Sequence, residues 1–252
     1  MKPTASYTIW FSQRTGSTLL SKALEQTGCA GKPSEWLNIN PGESLLGHYN
    51  AKSPAELQQQ LWASGSTPNG VFGLKFSFHQ PFFSQVIETF SQFPGLPGQA
   101  ATPAAVWENA FPNHRHIFMT RRNKVRLAVS WWKAIQTQEW HRATGASPQS
   151  DALADQYSFD AIRHLFCESS LREAGIQEFF SSSGIIPLTI VYEDFIQAYA
   201  PTVCRVLKFL EVDMPDVSIQ PPYFEQLADD VSEEWAQRFR RDLQKGWSNI
   251  GW

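Results

Sequence analysis

Seven residues near the start of the chain, Ser12-Gln13-Arg14-Thr15-Gly16-Ser17-Thr18, combine the groups that hold an anion without help from a metal. The hydroxyls of Ser17 and Thr18 and the guanidinium fork of Arg14 are donors, and Gly16 lets the backbone approach a ligand closely. If a helix begins here, its first amides and the positive end of its dipole face the same point. The same residues also suit a plain turn into a helix capped by Ser17 or Thr18, and loop chemistry leaves both readings open. A magnesium-nucleotide loop would read G-x-x-x-x-G-K-[ST]; here an arginine takes the part of the lysine.

A second group of cations lies further on. Arg115, Arg121, Arg122, Lys124, Arg126, Lys133 and Arg142 stand between His114 and Arg142 against one acid, Glu139, a local excess of six in a chain of net charge -3. That is a focused positive patch. Lys124, Arg126 and Lys133 suit a solvated helix face. Arg121 and Arg122 leave the end of an apolar run, where ligands of open α/β sheets collect and where a nucleotide hydrolase would present a magnesium-binding Asp. His79, His114, His116, His141 and His164 have no ligand spacing, so no metal is expected and the histidines read as structural or surface residues.

These groups need elements to hold them. Tyr7–Phe11, Val71–Phe76, His116–Thr120 and Leu188–Tyr192 are apolar runs of strand length, near-continuous as in a parallel sheet covered on both faces. Helical spacing follows Ser17 as far as Gly28, placed as a C-terminal cap. It recurs over Pro54–Ala63, Pro81–Phe90, Asn123–Trp140, Phe159–Phe180 and Pro201–Leu210, and again after Ser232. Alternation of this kind predicts an α/β fold, a P-loop-like central parallel sheet flanked by helices. The Phe93–Gly98 stretch reads as a Pro/Gly loop and Thr144–Ser150 as a polar linker. Neither separates two complete patterns, so residues 1–252 are expected to form one domain without internal repeats.

Of 252 residues, 42% are hydrophobic and 18% charged, with pI near 6.1 and mean hydropathy of -0.32. The acidic balance excludes a generally basic nucleic-acid coat, and no run approaches the ~18 apolar residues of a membrane helix. Met1-Lys2-Pro3-Thr4 leads straight into the first strand and leaves no room for a secretory signal. Cys29, Cys167 and Cys204 are an odd set without metal spacing, so a cytoplasmic protein with reduced thiols is expected.

The segment Ser12–Leu20 resembles the 5′-phosphosulfate loop of sulfotransferases, and Thr27–Glu35 resembles its continuation in the bacterial Stf-zero branch. Thr67–Lys75, Ala128–Trp140, Val191–Phe195 and Ala228–Trp235 agree in order, so the likeness spans most of the chain. The resemblance implies the sulfotransferase fold and a 3′-phosphoadenosine 5′-phosphosulfate (PAPS) donor that leaves as the 3′,5′-bisphosphate (PAP). Arg14, Thr15, Gly16, Ser17 and Thr18 would hold the 5′ side. Ser130 and either Arg121 or Arg122 would hold the 3′-phosphate. Glu35 would be the general base, and Lys75 and Arg14 would assist the transferring group. The implied acceptor is a small hydroxylated molecule, a carbohydrate such as trehalose; a homodimer is implied and a nucleic-acid partner is not. Two other readings remain at this point: a P-loop kinase variant, and a silent nucleotide or nucleic-acid binding module using the positive patch. From the residues alone, Glu35 can be a first-turn helix acid, Ser130 a mid-helix hydroxyl bonded to a carbonyl, and Lys75 a solvated strand end.

Overall fold

The computed structural model describes residues 1–40, 42–96, 101–147, 156–212, 218–225 and 227–248. Four parallel strands, β1 (Ala5–Phe11), β2 (Val71–Ser77), β3 (His114–Thr120) and β4 (Leu188–Val191), lie in the order β2-β1-β3-β4. The chain runs from β1 to β2 on one side and crosses to β3 on the other. The carboxyl ends of β1 and β3 therefore flank the point where the winding reverses, which is where α/β sheets leave a crevice.

Side-chain alternation along β1 sorts the core into two faces. Tyr7, Ile9 and Phe11 pack with Leu20, Leu24, Met119, Ile190 and Val206 on one side. Trp10 points to the other, into an aromatic cluster with Phe76, Trp107 and Phe179. Helices α1 (Ser17–Gln26) and α9 (Tyr199–Phe209) cover the first face; α3 (Pro54–Gly65), α4 (Phe82–Phe90), α5 (Pro103–Ala110) and part of α7 (Phe159–Ser183) cover the second. A third cluster, with Leu127, Ile162, Trp235 and Phe239, joins α6 (Lys124–Thr137), α7 and α10 (Asp230–Leu243) beside the sheet.

All four strands fall where the apolar runs place them, with shifted ends. β1 and β3 begin two residues early because Ser6 pairs with His114 at the sheet's lower edge. Tyr192 leaves β4 and opens α8 (Tyr192–Gln197). The Asn123–Trp140 helix is shorter than expected. Gln138 adopts a left-handed φ of 58° and its amide donates to the Ile135 carbonyl at 2.7 Å, so Trp140 lies beyond the helix. Two short helices carry too little periodicity to be read in advance, α2 (Leu45–His48) and α5; the Thr102 cap with Pro103 behind it was the available signal for α5. Part of the Phe93–Gly98 loop and part of the Thr144–Ser150 linker lie outside the described residues.

Two of the histidines pack against the core, His116 buried and His114 half-buried. Trp10 Nε1 donates to His116 Nδ1 at 2.9 Å, and Trp107 Nε1 donates to His114 Nε2 at 3.2 Å. Ser6 Oγ donates to the Pro112 carbonyl at 2.6 Å and so accepts a hydrogen bond from His114 Nδ1–H at 2.9 Å. Both rings are thus held neutral, and an added proton has nowhere to go. Burial pushes His116 down to about 4, and burial together with its neighbour His116 pushes His114 well below its ordinary value. In the unfolded chain both would take protons near 6.5, so below that pH the unfolded state binds more protons and stability is lost as pH falls from about 6.5 toward 4. We expect the melting temperature to drop from pH 7 to pH 5, at roughly 1.4 kcal/mol per pH unit for each buried ring. His116→Gln should flatten that slope, and an unchanged slope would count against this origin.

Candidate active site

The loop after β1 turns by two left-handed residues, Arg14 with φ 64° and Gly16 with φ 82°. Such alternation aims successive amides into one concavity. Gly16 is the N-cap of α1 and no side chain caps the helix, so the alternative of a turn capped by Ser17 or Thr18 is not what forms. A Cβ on Gly16 would also meet Tyr192 Cδ2 at 2.8 Å. Thr15 turns inward, its hydroxyl donating to the Ser12 carbonyl at 2.9 Å, so its side chain shapes the loop and does not face the cleft. Beneath the loop, the buried Glu173 of α7 accepts from Ser12 Oγ at 3.1 Å, Thr120 Oγ1 at 2.8 Å and Lys124 Nζ at 2.5 Å. One carboxylate thereby ties the ends of β1 and β3 to the start of α6. Removing one partner of such a buried ion pair typically costs about 3–5 kcal/mol.

A first cleft opens above this loop, lined by Arg14, Ser17, Thr18, Arg121, Ser130 and Tyr192 among others. Arg14 Nε donates to Ser130 Oγ at 3.0 Å, and its Nη1 donates to the Trp140 carbonyl. Ser130 therefore faces the cleft and does not bond back into its own helix. Burial, with Arg121 adding repulsion, lowers the Arg14 guanidinium to about 10, which still leaves it charged at neutral pH. Arg121 lies over the Tyr192 ring at 4.6 Å and reaches its nearest carboxylate, Glu193, only at 3.9 Å. Its buried Nε has no hydrogen-bond partner among the described residues. A buried donor left open at the end of a strand fits a ligand that brings the acceptor.

The structure separates the two arginines that the sequence could not. Arg122 turns outward to Asp194 at 2.6 Å, with 62% of its side chain exposed, and it does not line the cleft. The rest of the positive patch is also paired: Arg115 with Glu211, Lys124 with Glu173, Arg126 with Glu233 and Lys133 with Asp229, all distant in sequence, and Arg142 with Glu139 three residues before it. Much of the charge counted along this stretch is thus paired within the fold.

A second cleft adjoins the first and holds Glu35, Asn38, Lys75, His79, Trp131 and Arg172 among its walls. Glu35 arrives there through an addition to the sheet. Ser34 pairs in parallel with Leu74, and Lys75 N donates to the Ser34 carbonyl at 2.9 Å. Gly31 must be a glycine here, because a Cβ would stand 2.6 Å from Gly73 N. No helix begins at Glu35, so it is not a first-turn acid. Lys75 is only 7% exposed and does not end in solvent. Its Nζ meets Glu35 Oε1 at 2.8 Å and Thr18 Oγ1 at 2.9 Å, and lies 5.2 Å from the centre of the Phe11 ring. One ammonium thus joins the carboxylate of the second cleft to the loop of the first.

The clefts share Arg14, Ser17, Thr18, Trp140 and His141. Of the tryptophans in the 123–140 stretch, Trp131 is in the core, Trp132 is half-buried and Trp140 is an exposed wall of both clefts. His141 was read from sequence as structural or surface; its position between the clefts had no signal in the spacing. Among the described residues no group of three or more His, Cys, Asp or Glu is placed to hold a metal ion.

Residues 6–242 match the model of the Stf0 sulphotransferase family. The chain belongs to that family. Two relatives named trehalose 2-sulfotransferase are similar to this sulfotransferase along nearly their whole length. The one from Mycobacterium tuberculosis is 28% identical, over 95% of this chain and 96% of the relative. The one from Mycolicibacterium smegmatis is 31% identical, over 96% and 97%. Among solved structures, the sulfotransferase domain of the Synechococcus PCC 7002 olefin synthase aligns with a TM-score of 0.41 at 16% identity, covering 95% of this chain and 88% of that one. The parallel sheet flanked by helices in this sulfotransferase agrees with the fold class anticipated from its alternating pattern. Among the described residues, no helix is long and apolar enough to cross a membrane.

Proposed function

We propose that this sulfotransferase moves a sulfuryl group from PAPS to a hydroxyl of a carbohydrate such as trehalose, in the cytoplasm, with Glu35 as general base. The observation that carries the reading is the Lys75 ammonium held between Glu35 Oε1 and Thr18 Oγ1, where the two clefts meet. Membership of the family supports the transfer, and the names of the two mycobacterial relatives support the sugar. The second cleft supplies what a neutral sugar needs: the rings of Trp131, Trp140 and Phe82 for its apolar faces, and Gln13, Asn38 and His79 for its hydroxyls.

The donor, when bound, supplies an activated sulfuryl group on a phosphate leaving group. The amides of the 14–18 loop, the hydroxyls of Ser17 and Thr18 and the Arg14 guanidinium would hold its 5′ side, while Arg121 and Ser130 would take the 3′-phosphate. Glu35 orients the acceptor hydroxyl and accepts its proton as the oxygen attacks. Once protonated, Glu35 no longer neutralises Lys75. The ammonium, already on Thr18, is then free to balance the charge arriving on the leaving oxygen. A sulfuryl group carries less charge than a phosphoryl group, so cationic side chains can do what magnesium does in phosphoryl transfer.

Thermal shift against PAP, magnesium-ATP and a single-stranded oligonucleotide, followed by transfer of labelled sulfate to trehalose, tests the reading. Stabilisation by PAP above the other two and label on the sugar are expected. Stabilisation by magnesium-ATP alone would return a kinase, and salt-sensitive stabilisation by the oligonucleotide alone a binding module.

A further inference from the structure

His141 stands at the junction of the two clefts and lines both. It is carried by a clasp that the rest of the molecule fixes independently of its ring. Just before it, the Trp140 carbonyl accepts from Arg14 Nη1. Just after it, Arg142 grips the buried Glu139 carboxylate with two bonds of 2.7 Å. Ala143 then pairs antiparallel with Phe224, and Thr144 N donates to the Tyr223 carbonyl at 3.0 Å. The imidazole leans on the Phe224 ring at 5.1 Å. Among the described residues its nitrogens have no hydrogen-bond partner.

Its surroundings set its charge. The ring is exposed at the mouth of the junction, and its partial desolvation there together with the neighbouring cations Arg14 and Lys75 lowers it to about 4, so it is neutral at physiological pH. A neutral imidazole has one N–H donor and one acceptor nitrogen. Between two fixed cations it adds a directional bond without adding a third charge that would tighten every bound anion equally. Only interactions that are stronger in the transition state accelerate transfer.

We propose that His141 donates a hydrogen bond to a non-bridging oxygen of the sulfuryl group as it crosses from the loop side to the Glu35 side. The inference rests on the sulfuryl-transfer reading. No bond to His141 forms or breaks in the step: the S–O bond to the leaving phosphate breaks, the bond to the acceptor oxygen forms, and the acceptor proton goes to Glu35.

The test is single-turnover transfer from PAPS to trehalose, with hydrolysis of PAPS in the absence of sugar measured alongside, for wild type, His141→Ala, His141→Asn and His141→Gln. His141→Ala should slow both reactions about 10²-fold, the loss typical of one donor to a developing charge. PAP affinity by titration should stay within about threefold, because the bond is specific to the crossing group and absent from the product. At least one amide variant should recover about tenfold, because each restores an N–H donor near one ring nitrogen. An unchanged rate in His141→Ala overturns the proposal while leaving the transfer reading intact. A parallel loss of PAP affinity and melting temperature, unrescued by either amide, also overturns it and makes His141 a prop of the clasp. Wild-type protein that neither transfers nor hydrolyses PAPS removes the reading itself, and this inference with it.

Discussion

Replacing Glu35 by Gln is expected to lower kcat by at least about 10²-fold while PAP binds nearly as in wild type. The substitution keeps the shape of the side chain and a hydrogen-bond acceptor for Lys75, but it removes the basicity that the acceptor hydroxyl requires. It also removes the negative charge that neutralises a largely buried ammonium. Lys75 will then draw more strongly on Thr18 and on any bound anion, so PAP affinity should rise slightly if it changes at all. This sign separates loss of a base from loss of the fold, which would weaken ligand binding and lower the melting temperature together. Turnover close to wild type with a verified acceptor would remove Glu35 from the chemistry.

A second large effect is expected at Arg121. A charge-assisted hydrogen bond contributes about 1.5–3 kcal/mol, or roughly 10- to 150-fold in affinity, and acts only on the group it touches. Arg121→Ala should therefore weaken PAP by that factor and adenosine 5′-phosphate, which lacks the 3′-phosphate, far less. Arg122→Ala should leave both within about twofold, because its guanidinium is spent on Asp194 outside the cleft and exposed pairs contribute little. Equal loss of both ligands in Arg121→Ala would mean that its stacking on Tyr192, and through it the packing against Gly16, is what the substitution disturbs.

The comparison of Arg121 with Arg122 shows where reading the sequence runs out. Strand and loop chemistry placed both at the end of β3, because hydrophobic runs report which residues are buried. Which of two neighbours faces the crevice depends on Tyr192 and Asp194, more than 70 positions away, and no local pattern carries that information. The positive patch misled for the same reason. Charge counted along the chain says nothing of Glu211, Asp229 or Glu233, which folding brings beside it. Conversely, the form of the 12–18 loop was partly legible because it rests on backbone conformation, which glycine at position 16 and a following helix specify locally; that no side chain caps the helix was left open. Glu35 was named by likeness alone. Its approach to Lys75 depends on one isolated bridge, Ser34 to Leu74, too short to leave a periodicity. His141 had neither a likeness nor a pattern to single it out, since it lies beyond the αL turn at Gln138 that carries the chain off the helix, in a stretch without helical or strand spacing.

The two clefts meet at a shared seam and both use α6, which gives Ser130 to the first and Trp131 to the second; beyond that the first draws on Tyr192 and the start of α10, and the second on residues 35–38, 75–82 and Arg172. On the proposed reading, walls that are largely separate make the enzyme modular under mutation. Substitutions around Asn38, His79 or Phe82 would then change which alcohol is admitted while the groups proposed to face the nucleotide stay untouched. Lineages that keep this scaffold can then diverge in product without rebuilding the costly half of the reaction, and new acceptors should be sought by varying that wall alone.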